Sequence, residues 1–232
     1  MMISKNQDLR KRISSAALVI KRYAIKGFEI YVQFPLYILT HPIDGFYELK
    51  EGKRGLYKVA TTFFLIHAVL SIIEFAYTGF LFNNVNPNQF RMFRSIILAI
   101  LPYVVFMVAN WSITSLMDGK GKFKEIYLVV GYAFFPYVTL RIFSLFTSNF
   151  FTMDEGFFYY GTISLGLGLS LYLIFMGIRS IHEYSVFRTV STVFLTFVSM
   201  TVIIFMGLLA LNLAQQIILF IQTIIKEITL RL

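Results

Sequence analysis

"DGKGKFKEIYLVVGYAFFPYVTLRI", residues 118–142, begins with two glycines among three lysines and then runs into apolar sequence. A phosphate-binding Walker loop requires G-x-x-x-x-G-K-[ST] between a strand and a helix. The segment "GKGKFKE" has neither that spacing nor that setting. The alternative is a chain that re-enters a membrane, with its lysines on the aqueous side of the boundary. The composition of the chain decides between these two interpretations.

The whole chain has the composition of an integral membrane protein. Hydrophobic residues make up 57% of the 232 residues, aromatic residues 18% and charged residues 14%, whereas soluble domains carry about 25% charged residues. A helix that crosses ~30 Å of hydrocarbon needs about 20 apolar residues. Five runs qualify: Leu56–Phe82, Phe93–Leu116, Ile126–Phe146, Phe157–Ile178 and Val190–Leu213. The predicted fold class is all-α, a polytopic membrane protein with five transmembrane helices in residues 56–213.

Lysine and arginine predict the orientation of the chain, because cytoplasmic flanks collect them. With the N-terminus inside, sixteen of the 21 basic residues lie on the inner side and four on the outer side, and Arg141 lies within the third span. The sequence therefore predicts a multi-pass protein of the cell membrane with a cytoplasmic N-terminus and an external C-terminus.

Residues 1–55 form a basic segment before the first span. Apolar residues recur there at helical spacing, which favours an amphipathic helix on an anionic membrane face, although a basic arm that only sets topology explains the same charges. "FEIYVQFPLYILTHP" is too short to cross and contains Pro35, so it is predicted to dip into the interface, and "HPIDGFYELKEGKRG" to return as a polar turn. The basic residues expected to contact lipid headgroups are Arg10, Lys11, Lys21, Arg22, Lys120, Lys122 and Lys124.

Residue sets with catalytic or metal-binding chemistry are missing from the sequence. Cysteine is absent, the three histidines are scattered, and "HEYSV" lacks the second histidine of a helical zinc motif. There is no G-x-S-x-G and no pair of intramembrane aspartates. Asp118 lacks the further aspartates of a metal-dependent lipid phosphotransferase. We therefore expect a protein that is not an enzyme and needs no metal or cofactor, with lipids and membrane proteins, not nucleic acid, as partners.

The third span contains "VVGYAFFPY", which places Gly131 and Pro136 inside a membrane helix. Proline removes a backbone hydrogen bond and kinks the helix. In lipid such a break is tolerated where neighbouring helices or waters satisfy the freed carbonyl. The third span is therefore predicted to face other helices.

The stretch "NWSITSLMDGKGKFKEIYLVVGYAFFPY", residues 110–137, resembles the Ypt-interacting-protein, or Yip, domain family of five-span membrane proteins. The glycine-tyrosine pair before a proline, the interfacial stretch ending "HPIDGFYEL" and the N-in plan carry the resemblance. Eukaryotic members are linked to vesicle traffic and Rab-type GTPases and carry "DLYGP" before the spans, which this chain lacks. It is more similar to bacterial members, often encoded near ABC-type sugar transporters. The resemblance implies a membrane-bound partner of that kind.

Polar residues form one stripe along the first span. His67, Ser71, Glu74 and Thr78 recur at i, i+4, i+7 and i+11. Such a stripe either makes polar contacts that hold neighbouring helices together or lines a path for protons or a solute. Counting ~1.5 Å per residue from the start of each span puts Glu74 and Arg141 at similar depths. We predict an ion pair between them; if they do not touch, Glu74 is a candidate protonatable site facing a cavity.

The fourth span carries two pairs of small residues. In "YGTISLGLGLSLYL", Ser164 and Gly168 form one small-xxx-small pair, and Gly166 and Ser170 form the other. Small faces let helices approach closely. The pattern predicts close packing, either within the bundle or with a second copy of the chain.

Residues 214–232 extend the apolar signal well beyond the length that a fifth span requires. Polar residues from position 212 onward share one helical face: Asn212, Gln215, Gln216, Gln222, Thr223, Lys226 and Glu227. The pattern predicts an amphipathic helix on the outer surface, or a helix that protrudes from the membrane. Either form could dock a partner.

Two function classes follow from these observations. The favoured one is a non-enzymatic membrane protein that binds or assists another membrane complex, or helps to organise the membrane, through its packed spans and basic inner surface. Its partner is then another membrane protein or further copies of itself. The alternative is a small transporter or channel that uses His67, Glu74 and Arg141. Five spans without a clear internal repeat are few for an alternating-access carrier.

Overall fold

A computed structural model of the chain describes residues 21–52, 54–83, 86 and 90–231. Across these ranges every regular element is a helix, and five helices are long and apolar enough to cross a membrane. This confirms the all-α, five-helix fold class. The basic helix expected in the first twenty residues, with Arg10 and Lys11, lies outside the described residues.

The helices follow one another with short connections. Residues 21–28 are helical and continue through a π-helical turn, Glu29–Gln33, into a short pair of helices. The elements are α1 (Phe34–Thr40), α2 (Pro42–Lys50), α3 (Tyr57–Tyr77), α4 (Met92–Leu116), α5 (Phe123–Thr147), a short 3-10 turn (Met153–Glu155), α6 (Gly156–His182) and α7 (Val186–Arg231). Helices α3 to α7 are the five spans. Lysines and arginines cluster where α3, α5 and α7 begin, and we call this the basic end of the bundle.

Helix α2 corrects the prediction of a polar turn in "HPIDGFYELKEGKRG", whereas the interfacial position of the stretch before it stays a prediction. Pro42 lies in the first turn of α2, where the missing N–H has no helical partner to lose, whereas Pro35 directly follows the π-helical turn inside a continuous helical run. Gly45 brings α2 against α1, since an added Cβ would lie 2.8 Å from Cα of Ile38. Ile38 and Phe46 are fully buried in the core. Pro42 starts a helix, and the helical run continues through Pro35, which the sequence had predicted as a break.

Helix α5 lies at the centre of the bundle. It packs most extensively against α6 and α3 and also contacts α1, α2 and α4. Gly131 permits the approach to α3, because a Cβ there would lie 2.4 Å from Cβ of Ala60. Gly177 of α6 plays the same part from the other side, against the side chain of Val129. The prediction that this span faces other helices agrees with the structure.

Helix α7 packs by its first part against α4. Thr189, Thr192 and Thr196 are fully buried along this contact. Asn110 donates from Nδ2 to Oγ1 of Thr196 over 3.1 Å. The sequence placed a boundary at Leu213, but α7 is one helix of 46 residues that passes through this point. Whether the part after Leu213 lies on the membrane or protrudes from it stays a prediction.

Candidate functional site

An ion pair joins α3 to α5 inside the membrane-spanning part of the bundle. Arg141 donates from Nε to Oε1 of Glu74 over 2.8 Å and from Nη2 to Oε2 of the same carboxylate. The pair is therefore bidentate, the geometry in which a guanidinium binds a carboxylate most strongly. The Arg141 side chain is 8% exposed and that of Glu74 is 27% exposed. The structure thus brings together the two charges that residue counting placed at similar depths.

His67 is the third member of this cluster. Nη1 of Arg141 lies 2.7 Å from Nδ1 of His67. Because a guanidinium can only donate, Nδ1 must be the acceptor, and the proton of the neutral ring is assigned to Nε2. His67, Glu74 and Arg141 therefore form one hydrogen-bonded unit, in which a single carboxylate and a single guanidinium balance each other.

Aromatic rings enclose the cluster. Tyr103 of α4 meets the ring of His67 edge-on, with centroids 5.4 Å apart. Tyr137 lies one helical turn before Arg141, and its ring centroid is 5.2 Å from the guanidinium carbon. Phe134 packs on His67 with centroids 5.0 Å apart. These rings shield the charges from lipid, which strengthens the ion pair relative to an exposed one.

A cavity of about 330 Å³ lies beside the cluster. It is lined by His67, Ser71, Ser95, Leu98, Ala99, Pro102, Tyr103, Tyr137 and Arg141. Pro102 lies inside α4 and has no N–H to offer the carbonyl of Leu98, so a backbone acceptor is freed at the cavity wall. The cavity therefore combines hydroxyls, a histidine edge and a freed carbonyl.

The other two members of the predicted stripe do not bind Arg141. Ser71 donates from Oγ to the backbone carbonyl of Ala68 in its own helix. Thr78 lies directly after α3 and donates its backbone N–H to the carbonyl of Glu74. Of the four polar positions, the structure brings only His67 and Glu74 to the guanidinium.

The predicted small-residue positions divide into two groups. An added Cβ at Gly166 would lie 3.2 Å from Cα of Tyr137 and 3.4 Å from the carbonyl oxygen of the buried Pro136, so α6 approaches α5 beside this proline. Ser170, on the same face of α6, is buried. Ser164 and Gly168 are exposed, and among the described atoms nothing lies within 4 Å of a Cβ added at Gly168. One pair packs within the bundle and the other faces outward.

The loop that opens "DGKGKFKE" packs on the end of α6. The backbone N–H of Gly121 donates to Nδ1 of His182 over 3.1 Å. A Cβ at Gly119 would lie 2.5 Å from this same nitrogen and 2.7 Å from the hydroxyl of Tyr184. Tyr184 in turn donates to the carbonyl of Met117. The two glycines therefore let the loop close over His182, which is a structural explanation for the "GKG" motif.

Charges on this basic end are paired across three segments. Lys120 donates to Glu183, and this hydrogen bond lowers the pKa of the exposed Glu183 carboxylate. Lys50 of α2 lies 3.8 Å from the same carboxylate and donates to the carbonyl of Ile181. Arg188 lies over the ring of Tyr184. Lys120, predicted to contact lipid, thus has a protein partner, while the lipid contacts of Lys21, Arg22, Lys122 and Lys124 remain predictions.

Several residues in these sites were not predicted from the sequence. Tyr103, Pro102 and Tyr137 border the ion pair, and Asn110 and Thr196 join α4 to α7. A proline and an asparagine inside an apolar span were the available signals, since both leave polar groups that need a partner. Among the described residues, no three His, Cys, Asp or Glu side chains could hold a metal ion.

Comparison with known proteins gives one match. The family model described as the Yip1 domain matches residues 36–211. The chain matches none of the curated proteins and none of the solved structures with which it was compared. The matched range begins in α1 and ends within α7, so it includes the ion pair, the loop over His182 and the contact between α4 and α7.

Proposed function

This chain belongs to the Yip1 domain family, and we propose that it is a non-enzymatic membrane protein that binds or assists another membrane complex. The first candidate partner is an ABC-type transporter, because the chain resembles bacterial members of the family that are often encoded beside such transporters. A protein that binds other membrane proteins can also help to organise the membrane, and this is the more general form of the proposed role. Without a "DLYGP" motif, Rab-type GTPases are not proposed as partners.

The observation that carries this proposal is the far part of α7. Every residue from 204 to 230 is exposed. The helix of 46 residues is about 69 Å long, against ~30 Å of hydrocarbon. Apolar side chains such as Ile221 and Ile225 therefore extend past the lipid, where a large exposed apolar surface marks a site of association.

The ion-pair cluster supports a scaffold role. Glu74 and His67 bind the guanidinium of Arg141 from the same helix, so the cluster locks α3 to α5. A carrier that exchanged solute at these charges would have to separate them, and separating a buried pair is strongly unfavourable. A rigid bundle with internally balanced charges suits a protein whose task is to hold partners.

We further propose that the basic end faces the cytoplasm of a bacterial cell and binds anionic lipid headgroups. The excess of lysine and arginine at this end supports that orientation. Reporter fusions at Asp118 and Tyr184 are expected to read as cytoplasmic, and fusions at Asn86, Asp154 and Leu232 as external. A cytoplasmic C-terminus would exclude a five-span arrangement.

Co-purification tests the proposed partner. The full chain and a variant that ends at Leu213 are extracted from native membranes in mild detergent, and co-eluting proteins are quantified by mass spectrometry. We expect an ABC-type transporter subunit in stoichiometric amount with the full chain and its loss from the shortened one. The melting temperature of the shortened chain serves as the control, because residues 214–230 are exposed and their removal should leave the bundle intact. Full-length protein that elutes alone contradicts the proposal.

The cavity beside Arg141 favours a second candidate function, a small transporter or channel. Its lining combines His67, Ser71 and Tyr103, groups that could bind a polar solute or relay a proton. The test is flux of ions or small solutes into liposomes that contain the purified chain. Flux that Tyr103→Phe lowers and Gly168→Ala leaves unchanged, with the melting temperature of both variants equal to that of the wild type, would favour this alternative over a scaffold.

A further inference from the structure

The level at which α7 leaves the bundle can be read from its contact with α4. The two helices are antiparallel, since Thr192 lies beside Met117 and Phe197 beside Phe106. Asn110, which bonds Thr196, lies 18 residues from Met92, the first residue of α4. The same 18 residues along α7 from Thr196 reach Ala214. The helix beyond Ala214 therefore extends about 25 Å past the end of the bundle.

The protruding helix carries a heptad pattern. Apolar residues recur at alternating spacings of three and four: Leu211, Ala214, Ile218, Ile221, Ile225 and Ile228. This is the a and d pattern of a coiled coil, in which each apolar side chain packs into a hole of a facing helix. Gln216 and Thr223 occupy the opposite f positions. The large side chains of this seam are exposed, and Ile217 and Ile224 at the g positions widen the exposed apolar face beside it.

Membrane insertion determines how such a seam can be covered. Copies of one chain that share a topology present their α7 helices in parallel and at the same height, which is the arrangement an in-register heptad seam requires. Covering the stripe with the membrane surface instead needs a sharp bend near Ala214. Sharp kinks occur at proline, glycine or π-bulges. Helix α7 has no proline, and its single glycine, Gly207, lies two turns before this level.

From these observations we propose that the segment of α7 from Leu211 to Ile228 forms a parallel coiled coil with the same segment of further copies of this chain. Isoleucine at both a and d positions favours trimers or tetramers over dimers. At about 60–120 Å² for each large aliphatic side chain, the stripe covers several hundred Å² per copy, which approaches the size of a specific interface. This inference goes beyond the proposed function: it assigns the exposed helix to self-association, and the transporter then binds the assembled oligomer.

Disulfide cross-linking tests the proposed contact, and the absence of native cysteine makes single-cysteine variants unambiguous. Ile221 occupies a d position, where identical residues of parallel helices meet, and Thr223 lies at the same height on the outer face. Full-length Ile221→Cys and Thr223→Cys are purified, reconstituted in liposomes without other proteins, and oxidised. We expect about tenfold more cross-linked product for Ile221→Cys. Equal yields, or none from either variant, overturn the proposal.

A charge substitution provides the second measurement. Ile221→Lys places a charge in the seam and should convert the oligomer to monomers in nanodiscs, as read by native mass spectrometry. Thr223→Lys adds the same charge on the outer face and should leave the oligomer intact. A monomeric wild-type chain that still recovers a transporter would overturn the coiled coil and leave the proposed function standing. An oligomer that recovers no transporter would overturn the proposed function and leave the coiled coil standing.

Discussion

Helices α5 and α7 differ in a way that hydropathy does not explain. The most apolar window of α5 has a mean hydropathy of 1.6 and is 67% buried, whereas that of α7 has a mean hydropathy of 2.5 and is 6% buried. The least apolar span is therefore the central one, and the most apolar span is the most exposed. In lipid, acyl chains solvate apolar side chains as well as another helix does, so hydrophobicity does not drive helices together. They associate through close packing and polar contacts.

The residues that hold α5 at the centre are of these two kinds. Gly131 on α5 and Gly177 on α6 let backbones approach closely, and Arg141 binds Glu74 on α3. Helix α7 is attached by its first part, where Thr196 accepts from Asn110 and Phe197 packs beside Phe106. From residue 204 to residue 230 the helix is exposed. Removing either kind of contact from α5 should therefore loosen the bundle far more than changes in α7.

The largest effect is expected at the ion pair. Glu74→Gln leaves the guanidinium of Arg141 buried without a counter-charge, and breaking such a pair typically costs about 3–5 kcal/mol. Arg141→Gln should cost less, because the Glu74 side chain is 27% exposed whereas that of Arg141 is 8% exposed. The double replacement should be more stable than Glu74→Gln alone. Unfolding in mixed micelles measures the three variants, and losses that simply add would show that the two charges are not coupled.

The next effect concerns the close approach between α3 and α5. Gly131→Ala places a methyl group 2.4 Å from Cβ of Ala60, and overpacking of this kind costs about 1–3 kcal/mol. Gly168→Ala is the matched control on an exposed face and should leave the melting temperature unchanged or slightly raised. Adding Ala60→Gly to Gly131→Ala should restore part of the loss. A melting temperature that is equally insensitive to both glycine substitutions would show that α5 is not held by this contact.

A smaller effect is expected where α7 meets α4. Thr196→Val keeps the shape of the side chain but removes the acceptor of the Asn110 amide. Hydrogen bonds between membrane helices contribute about 0.6 kcal/mol on average and up to about 1.7 kcal/mol. We expect a loss in this range together with faster amide exchange in the first part of α7. Thr201→Val, on the exposed face, is the control. Identical exchange in both variants would contradict a stabilising role for this bond.

The smallest effect is expected at the basic end and depends on pH. The hydrogen bond from Lys120 lowers the folded-state pKa of Glu183, so the stabilisation is present above the ordinary pKa of glutamate and is lost as the pH falls through the lowered value. Glu183→Gln should therefore lower the melting temperature slightly at pH 7 and match the wild type in acid. The carboxylate is exposed, so salt should also weaken the effect. A difference that persists unchanged in acid would argue against the ion pair.

Counting along the chain was sufficient for part of the site. The depths of Glu74 and Arg141 follow from where their spans begin, because helical rise is constant. Counting could not predict that Arg141 contacts Nδ1 of His67. It also could not predict that the ring of Tyr103 packs on His67 and that of Tyr137 on Arg141. These contacts depend on how α3, α4 and α5 are rotated about their axes. The role of Gly119 and Gly121 was likewise hidden, because His182 approaches them from a distant part of the chain.

The sequence by itself determined which segments cross the membrane, where the basic end lies and that Pro136 belongs among other helices. These properties depend on hydropathy, charge and local backbone chemistry, each of which is carried by one segment at a time. Only the tertiary structure decided that α1 and α2 form a helical hairpin packed on the core, that α5 is central and that α7 continues unbroken past the bundle. Lipid solvates every apolar helix alike, so the choice of neighbours depends on the fit between pairs of surfaces, which no single segment encodes.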